Sequence, residues 1–288
     1  MSRVFWQQLL EGLGAGAGYA ALALALVLTY RFTGIVNFAQ GELAMLATYV
    51  AWQLVVSGMP YWVALPVTVA VAFAAGVVTE RLVIRRLESG AGEVTLVVTT
   101  IGLYVLVNAL ATLVWTAALR AFPSPFPDGP PGLAALAAAG VAGTVLGALA
   151  LVVRRTGLGL VMRAVAADAR SARLSGVRVG RVLALGWGAA AAVGALSGVL
   201  LAPTLFLEPS MMTGVLVYAF AAATLGGFDS ALGAVAGGLA VGVAETLAGT
   251  YLGFVGADLK IAVPLVIVVG VLLLRPQGLF GSAAVERA

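Results

Sequence analysis

Along the chain, long apolar runs are separated by short polar or charged breaks, at 9–30, 35–56, 61–84, 94–119, 133–153, 182–206, 214–226, 231–250 and 259–274. The hydrocarbon core of a bilayer is about 30 Å thick and about 20 apolar helical residues cross it. The pattern therefore predicts an all-α fold, a polytopic integral membrane helical bundle of eight or nine spans. The seventh run is short. It reads either as a full helix or as a re-entrant or broken one, which is tolerated at membrane depth where protein or a water-filled cavity satisfies the free backbone groups. The first run is too long for the apolar core of a cleaved signal peptide.

Composition strengthens this picture. Of 288 residues, 62% are hydrophobic and 10% charged, with a mean hydropathy of +1.09. One transmembrane domain over 1–288 is the expectation. The absence of cysteine and histidine removes disulfides, thiolate and imidazole metal sites and Ser-His triads. A phosphate-binding loop needs a lysine followed by a hydroxyl residue, and the single lysine, Lys260, is followed by Ile261. The chain is thus expected not to be an enzyme and to hold no cofactor, and any nucleotide hydrolysis falls to another polypeptide.

Charge sets orientation. If the nine runs alternate, one side receives Arg31, Arg81, Arg85, Arg86, the seven arginines from Arg154 to Arg181, Arg275 and Arg287, thirteen cations in all, and the other receives Arg3, Arg120 and Lys260. Positive charge collects on the cytoplasmic side, so loop 154–182 and the C-terminus are expected there. This accounts for the net charge of +4 without nucleic acid as a partner. The opposite loop, 120–132, is proline-rich and reads as a stiff connector that divides the chain about in half.

The basic loop reads RRTGLGLVMRAVAADARSARLSGVRVGRV. Leu158, Met162, Val165, Ala169 and Ala172 recur at helical spacing while Arg163, Arg170 and Arg173 fall elsewhere, which predicts one amphipathic helix ending near Gly176. It reads either as a helix lying on anionic membrane lipid or as a docking helix for a cytoplasmic partner. The second accounts better for nearly thirty residues where a connector commonly needs about 2–8.

Three further places carry candidate chemistry. Asn37, Gln40 and Glu42 interrupt an apolar run, where a carboxylate costs about 2.5–3.5 kcal/mol at the centre of a span. Glu42 reads as a cap for a broken helix near the cytoplasmic face, or as lining a solute pathway with Asn37 and Gln40. Asp229 and Ser230 precede a run and suit helix capping. Glu245, near the outer end of its span, either meets Lys260 or faces solute.

These stretches carry a resemblance. GYAALALALVLTYRFTGIVNFAQGELAMLATYVA, GLGLVMRAVAADARSARLSGV, ATLGGFDSALGAVAGGLAVGVAETL and LLLRPQGLFG resemble, in order, segments of the permease subunits of bacterial branched-chain amino acid ABC importers, in particular the first of two paralogous permeases. The resemblance implies translocation of leucine, isoleucine and valine across the bacterial inner membrane. It also implies a second permease subunit, two cytoplasmic ABC ATPase subunits and an external solute-binding protein. Leu158, Met162, Arg163, Val165 and Asp168 then fall in the ATPase-coupling loop, and Asn37, Gln40, Glu42 and Glu245 are candidates for the pathway. The same family is similar to importers of urea, short amides and other small solutes. An ion-coupled secondary transporter is the reading from another class. It would need intramembrane carboxylates paired with cations or half-helix ends, for which Glu42, Glu80 and Glu245 are thin material.

Overall fold

The computed structural model describes residues 2–88, 92–124, 133–252 and 259–281, and these are helical nearly throughout. The helices are α1 (Ser2–Thr33), α2 (Gln40–Val56), α3 (Tyr61–Thr79), α4 (Arg85–Glu88), α5 (Glu93–Trp115), α6 (Leu133–Arg155), α7 (Gly157–Ala167), α8 (Ala169–Leu174), α9 (Val179–Leu205), α10 (Met211–Gly226), α11 (Ala231–Tyr251) and α12 (Ala262–Leu274). A π-helical turn, Glu80–Ile84, joins α3 to α4. Six helices among the described residues are long and apolar enough to cross a membrane, while α10 and α12 are shorter apolar helices. The proline-rich loop lies largely outside the described residues, as does Arg287.

Helix α1 is the axis of the bundle. Its 32 residues would span about 48 Å at 1.5 Å per residue, and Ala20 to Val27 are buried on every side. A helix can occupy a centre only if its neighbours approach closely. On one flank Gly12 and Gly16 face the backbone of α11, where an added Cβ would sit 2.9 Å from Cα of Val243 and Leu239 respectively. Gly238 and Gly242 return the contact against Ala20 and Gly16. In a membrane, where lipid is as apolar as leucine, such packing replaces the hydrophobic effect as the adhesive. On the other flank α1 runs antiparallel to α9, since the Ser197 hydroxyl donates to the Gly18 carbonyl at 2.7 Å while Gly186 meets the Phe32 ring.

Three boundaries differ from the sequence pattern. The run 35–56 becomes helical only at Gln40, because Gly34, at φ +72°, ends α1 and the chain passes through a bend and a turn before α2 begins. The run 94–119 stops at Trp115, where Thr116 takes φ +63°. The single amphipathic helix expected up to Gly176 is two helices, because Asp168 adopts an extended conformation that closes α7 and opens α8. Gly176, at φ +84°, ends the segment as its position suggested.

Candidate functional site

At the end of the bundle that carries Arg31, Arg85 and Arg154, helices α7 and α8 form an elbow against the start of α9 and the end of α1. Thr156 caps α7 by accepting from the Gly159 amide at 3.2 Å. Asp168 caps α8 by accepting from the amides of Arg170 at 2.8 Å and Ser171 at 3.1 Å. The Ser171 hydroxyl also donates to it, and these bonds hold the Asp168 carboxyl below the usual carboxylate range. The cap therefore stays ionised and in place at neutral pH and weakens only on acidification below that range. Arg163 donates to the Val153 carbonyl and ties α7 back to the end of α6.

The apolar stripe of this segment points mostly inward. Val165 is 3% exposed and clusters with Ala172, Val179, Val182 and Leu183, with Phe32 and Met162 packed beside them. The face that the chain leaves uncovered instead carries Leu158 (61% exposed), Leu160 (62%) and Leu174 (84%). Leu160 and Leu174 were not singled out from the sequence. Helical spacing identifies one apolar face but not what covers it, and here the chain covers most of that face itself.

Nearby, the buried Glu80 carboxylate pairs with Arg85 at 2.6 Å, and Arg85 also donates to the Gly180 carbonyl at the start of α9. The π turn between them brings this pair together and fastens the basic end of α3 to α9.

A second polar group is buried around the start of α2. Asn37 donates to Gln40 Oε1 at 3.1 Å and its own Oδ1 accepts from the Ala39 amide. Gln40 donates to the Ala190 carbonyl of α9 at 3.1 Å. Glu42, 0% exposed, accepts from Asn108 of α5 at 3.1 Å, and Asn108 also donates to the Pro209 carbonyl at 2.9 Å, just before α10. Glu42 lies in the first turn of α2, but its partner Asn108 is fifteen residues into α5 and Gln40's partner Ala190 eleven residues into α9, about 22 and 16 Å by helical rise. The structure brings Asn37, Gln40 and Glu42 together as packed interior, tying the start of α2 to the middles of α5 and α9 and, through Asn108, to Pro209 before α10.

Glu245 is elsewhere. It accepts from the Tyr19 hydroxyl at 2.8 Å, Tyr19 stacks on Tyr218 at 4.7 Å, and the carboxylate lines a cavity of about 480 Å³ that also contains Lys260. Asp229 and Ser230 precede α11, and Ser230 caps it through the Gly233 amide at 3.0 Å.

Residues 8–273 match the family model described as the permease component of the branched-chain amino acid transport system. The chain is 30% identical to LivH of Escherichia coli, a high-affinity branched-chain amino acid transport system permease protein, over 98% of this chain and 97% of that one. The figures are the same for BraD of Pseudomonas aeruginosa. A probable LivH of Methanocaldococcus jannaschii is 26% identical over 88% of this chain and 85% of that protein. Among solved structures, PsaBC from Streptococcus pneumoniae in complex with Fab superposes with a TM-score of 0.53 at 11% identity, covering 96% of this chain and 97% of that one. That likeness concerns the fold alone.

Proposed function

The chain belongs to the branched-chain amino acid transport system permease family, and from that premise we propose that it is the membrane permease subunit of an ATP-binding-cassette importer for leucine, isoleucine and valine. It works as one transmembrane domain beside a second permease subunit. Two cytoplasmic ATPases supply the energy that a chain without a phosphate-binding loop cannot generate, and an external solute-binding protein delivers the amino acid. Loop 154–182 and the C-terminus are cytoplasmic.

The observation that carries this reading is the α7–α8 elbow. It is capped at both helix starts and anchored behind by Val165 and Arg163, yet it presents Leu158, Leu160 and Leu174 outward beside a basic surface. A rigid elbow with apolar knobs that the chain itself leaves uncovered suits a protein groove, and the nearly thirty residues of loop 154–182 exceed the about 2–8 that a connector commonly needs. Docking into the ATPases there lets their closure move α6 and α9, the helices that flank the elbow, because packed elements shift as units. On this reading Met162 and Val165 support the elbow and Asp168 holds its angle. Asn37, Gln40 and Glu42 tie down the broken start of α2, which must shift for solute to pass.

The test is leucine uptake by the complete importer reconstituted in proteoliposomes. Uptake should require ATP and the binding protein, and Leu160→Asp or Leu174→Asp should abolish both uptake and co-purification of the ATPases while the permease still elutes as a monodisperse complex. Uptake that survives removal of the ATPases and collapses with an ion gradient would establish the secondary-transporter reading instead.

A further inference from the structure

The outer half of the subunit is not filled. Helix α3 packs on α9 and α6 packs on α1, but α3 and α6 do not pack on each other among the described residues. Between them is the cavity of about 480 Å³, which reaches the outer ends of α9 and α11. A second hollow of about 490 Å³ continues inward between α3, α6 and α9, and Leu65 lines both.

The two parts differ in chemistry. The outer one contains Glu11, Glu245 and Lys260, with Tyr61 and Trp62 at its wall, aromatic residues of the kind that settle at headgroup level. The inner one is walled by Val69, Phe73, Val145 and Leu196 and is almost wholly apolar. Lys260 is held in place by its stem, since a Cβ on Gly249 would lie 2.7 Å from its Cε. Gly249 and Glu245 are one helical turn apart, so the ammonium and the carboxylate share one face of α11. They do not close on each other: among the described residues the ion pair within 4.0 Å is Arg85–Glu80.

Opposite charges held apart at the mouth of an apolar groove match an amphiphile whose head carries both signs. We propose that this continuous hollow is a binding site for one aminophospholipid. Its ammonium lies on Glu245 and Glu11, its phosphate on Lys260, and one acyl chain follows the groove between α3 and α6. A primary ammonium can donate three hydrogen bonds to those carboxylates and a quaternary one none, so phosphatidylethanolamine is preferred to phosphatidylcholine. An amino acid solute would match the outer charges but has nothing to fill the inner groove. In addition, none of α2, α5 and α10, which carry the buried polar group around Glu42, lines the outer cavity. Glu245 is accordingly assigned to lipid, and the assignment holds whichever solute the permease carries. An occupied site would clamp α6, which leads directly into the elbow, to the rest of the bundle.

The test uses the complete importer in nanodiscs doped with photoactivatable analogues of phosphatidylethanolamine, phosphatidylcholine or phosphatidylglycerol. The ethanolamine lipid should label peptides of α3 and α6 at least fivefold more than either of the others. Lys260→Glu, at the head, and Val145→Trp, in the groove, should each reduce that labelling at least fivefold; they act on separate parts of the site, so either suffices if the other fails to assemble. Equal labelling by the three lipids, labelling unchanged in the variants, or displacement of the label by leucine would each overturn the proposal.

Discussion

Asn108 lies in an apolar stretch of α5 with nothing local to distinguish it, yet it donates to both Glu42 and the Pro209 carbonyl. Its importance comes from partners 66 and 101 residues away, a separation no periodicity reports. Replacing it by leucine strips the donor to Oε2 from a carboxylate that is wholly buried and whose Oε1 already lacks a partner among the described residues. Leaving a buried polar group unsatisfied costs about 1–3 kcal/mol. Asn108→Leu should therefore lower the apparent Tm of the purified complex clearly. Glu42→Gln keeps an acceptor for Asn108 and removes a charge that costs about 2.5–3.5 kcal/mol at mid-membrane, so its Tm should stay level or rise. A thermal-shift series in which Glu42→Gln is the more damaged of the two would show that the carboxylate charge itself holds the helices. The unusual composition of Asn37, Gln40 and Glu42 was legible in the sequence. Their burial together depends on Ala190 and Asn108, which only the fold brings to them.

Between helices, the glycines divide into two populations that composition cannot separate. Gly16 sits against the backbone of α11, whereas nothing lies within 4 Å of a Cβ added at Gly140, Gly143 or Gly147 of α6. Gly16→Val should force the axial helix pair apart at a cost of at least about 1–3 kcal/mol, visible as loss of the monodisperse peak in size-exclusion chromatography. Gly143→Ala meets open space and relieves the poor helix propensity of glycine, worth up to about 1 kcal/mol. It should raise Tm slightly or leave it unchanged. Equal damage from both substitutions would mean that α6 is covered as closely as α1. The elbow makes a similar point. Its helical repeat was readable from Leu158 to Ala172, but the break at Asp168 was not, because an aspartate inside an amphipathic pattern caps a new helix only if the chain bends there.

For the molecule as a whole, the thirteen-to-three division of cations makes a definite demand. The natural sequence has no cysteine, so single reporters can be read without background. Ser175→Cys, at the exposed end of α8, should react with a membrane-impermeant maleimide only from the cytoplasmic side, and Ser57→Cys, in the exposed turn before α3, only from outside. Labelling of both from the same side would refute the orientation. Membrane embedding, the approximate positions of the helices, the basic end and the lack of a phosphate-binding motif were all determined by the sequence. Each follows from local hydropathy, a charge tally or a required motif, properties that adding up residues can capture. The tertiary structure alone decided that α1 is the axis, that α2 starts deep inside the bundle, that Val165 faces inward while Leu160 and Leu174 face out, and that Glu245 and Lys260 share a mouth between α3 and α6. In a chain so uniformly apolar, hydropathy favours every face of every helix nearly equally. Which faces meet is settled instead by close approach at a few glycines and by hydrogen bonds between residues far apart in the chain.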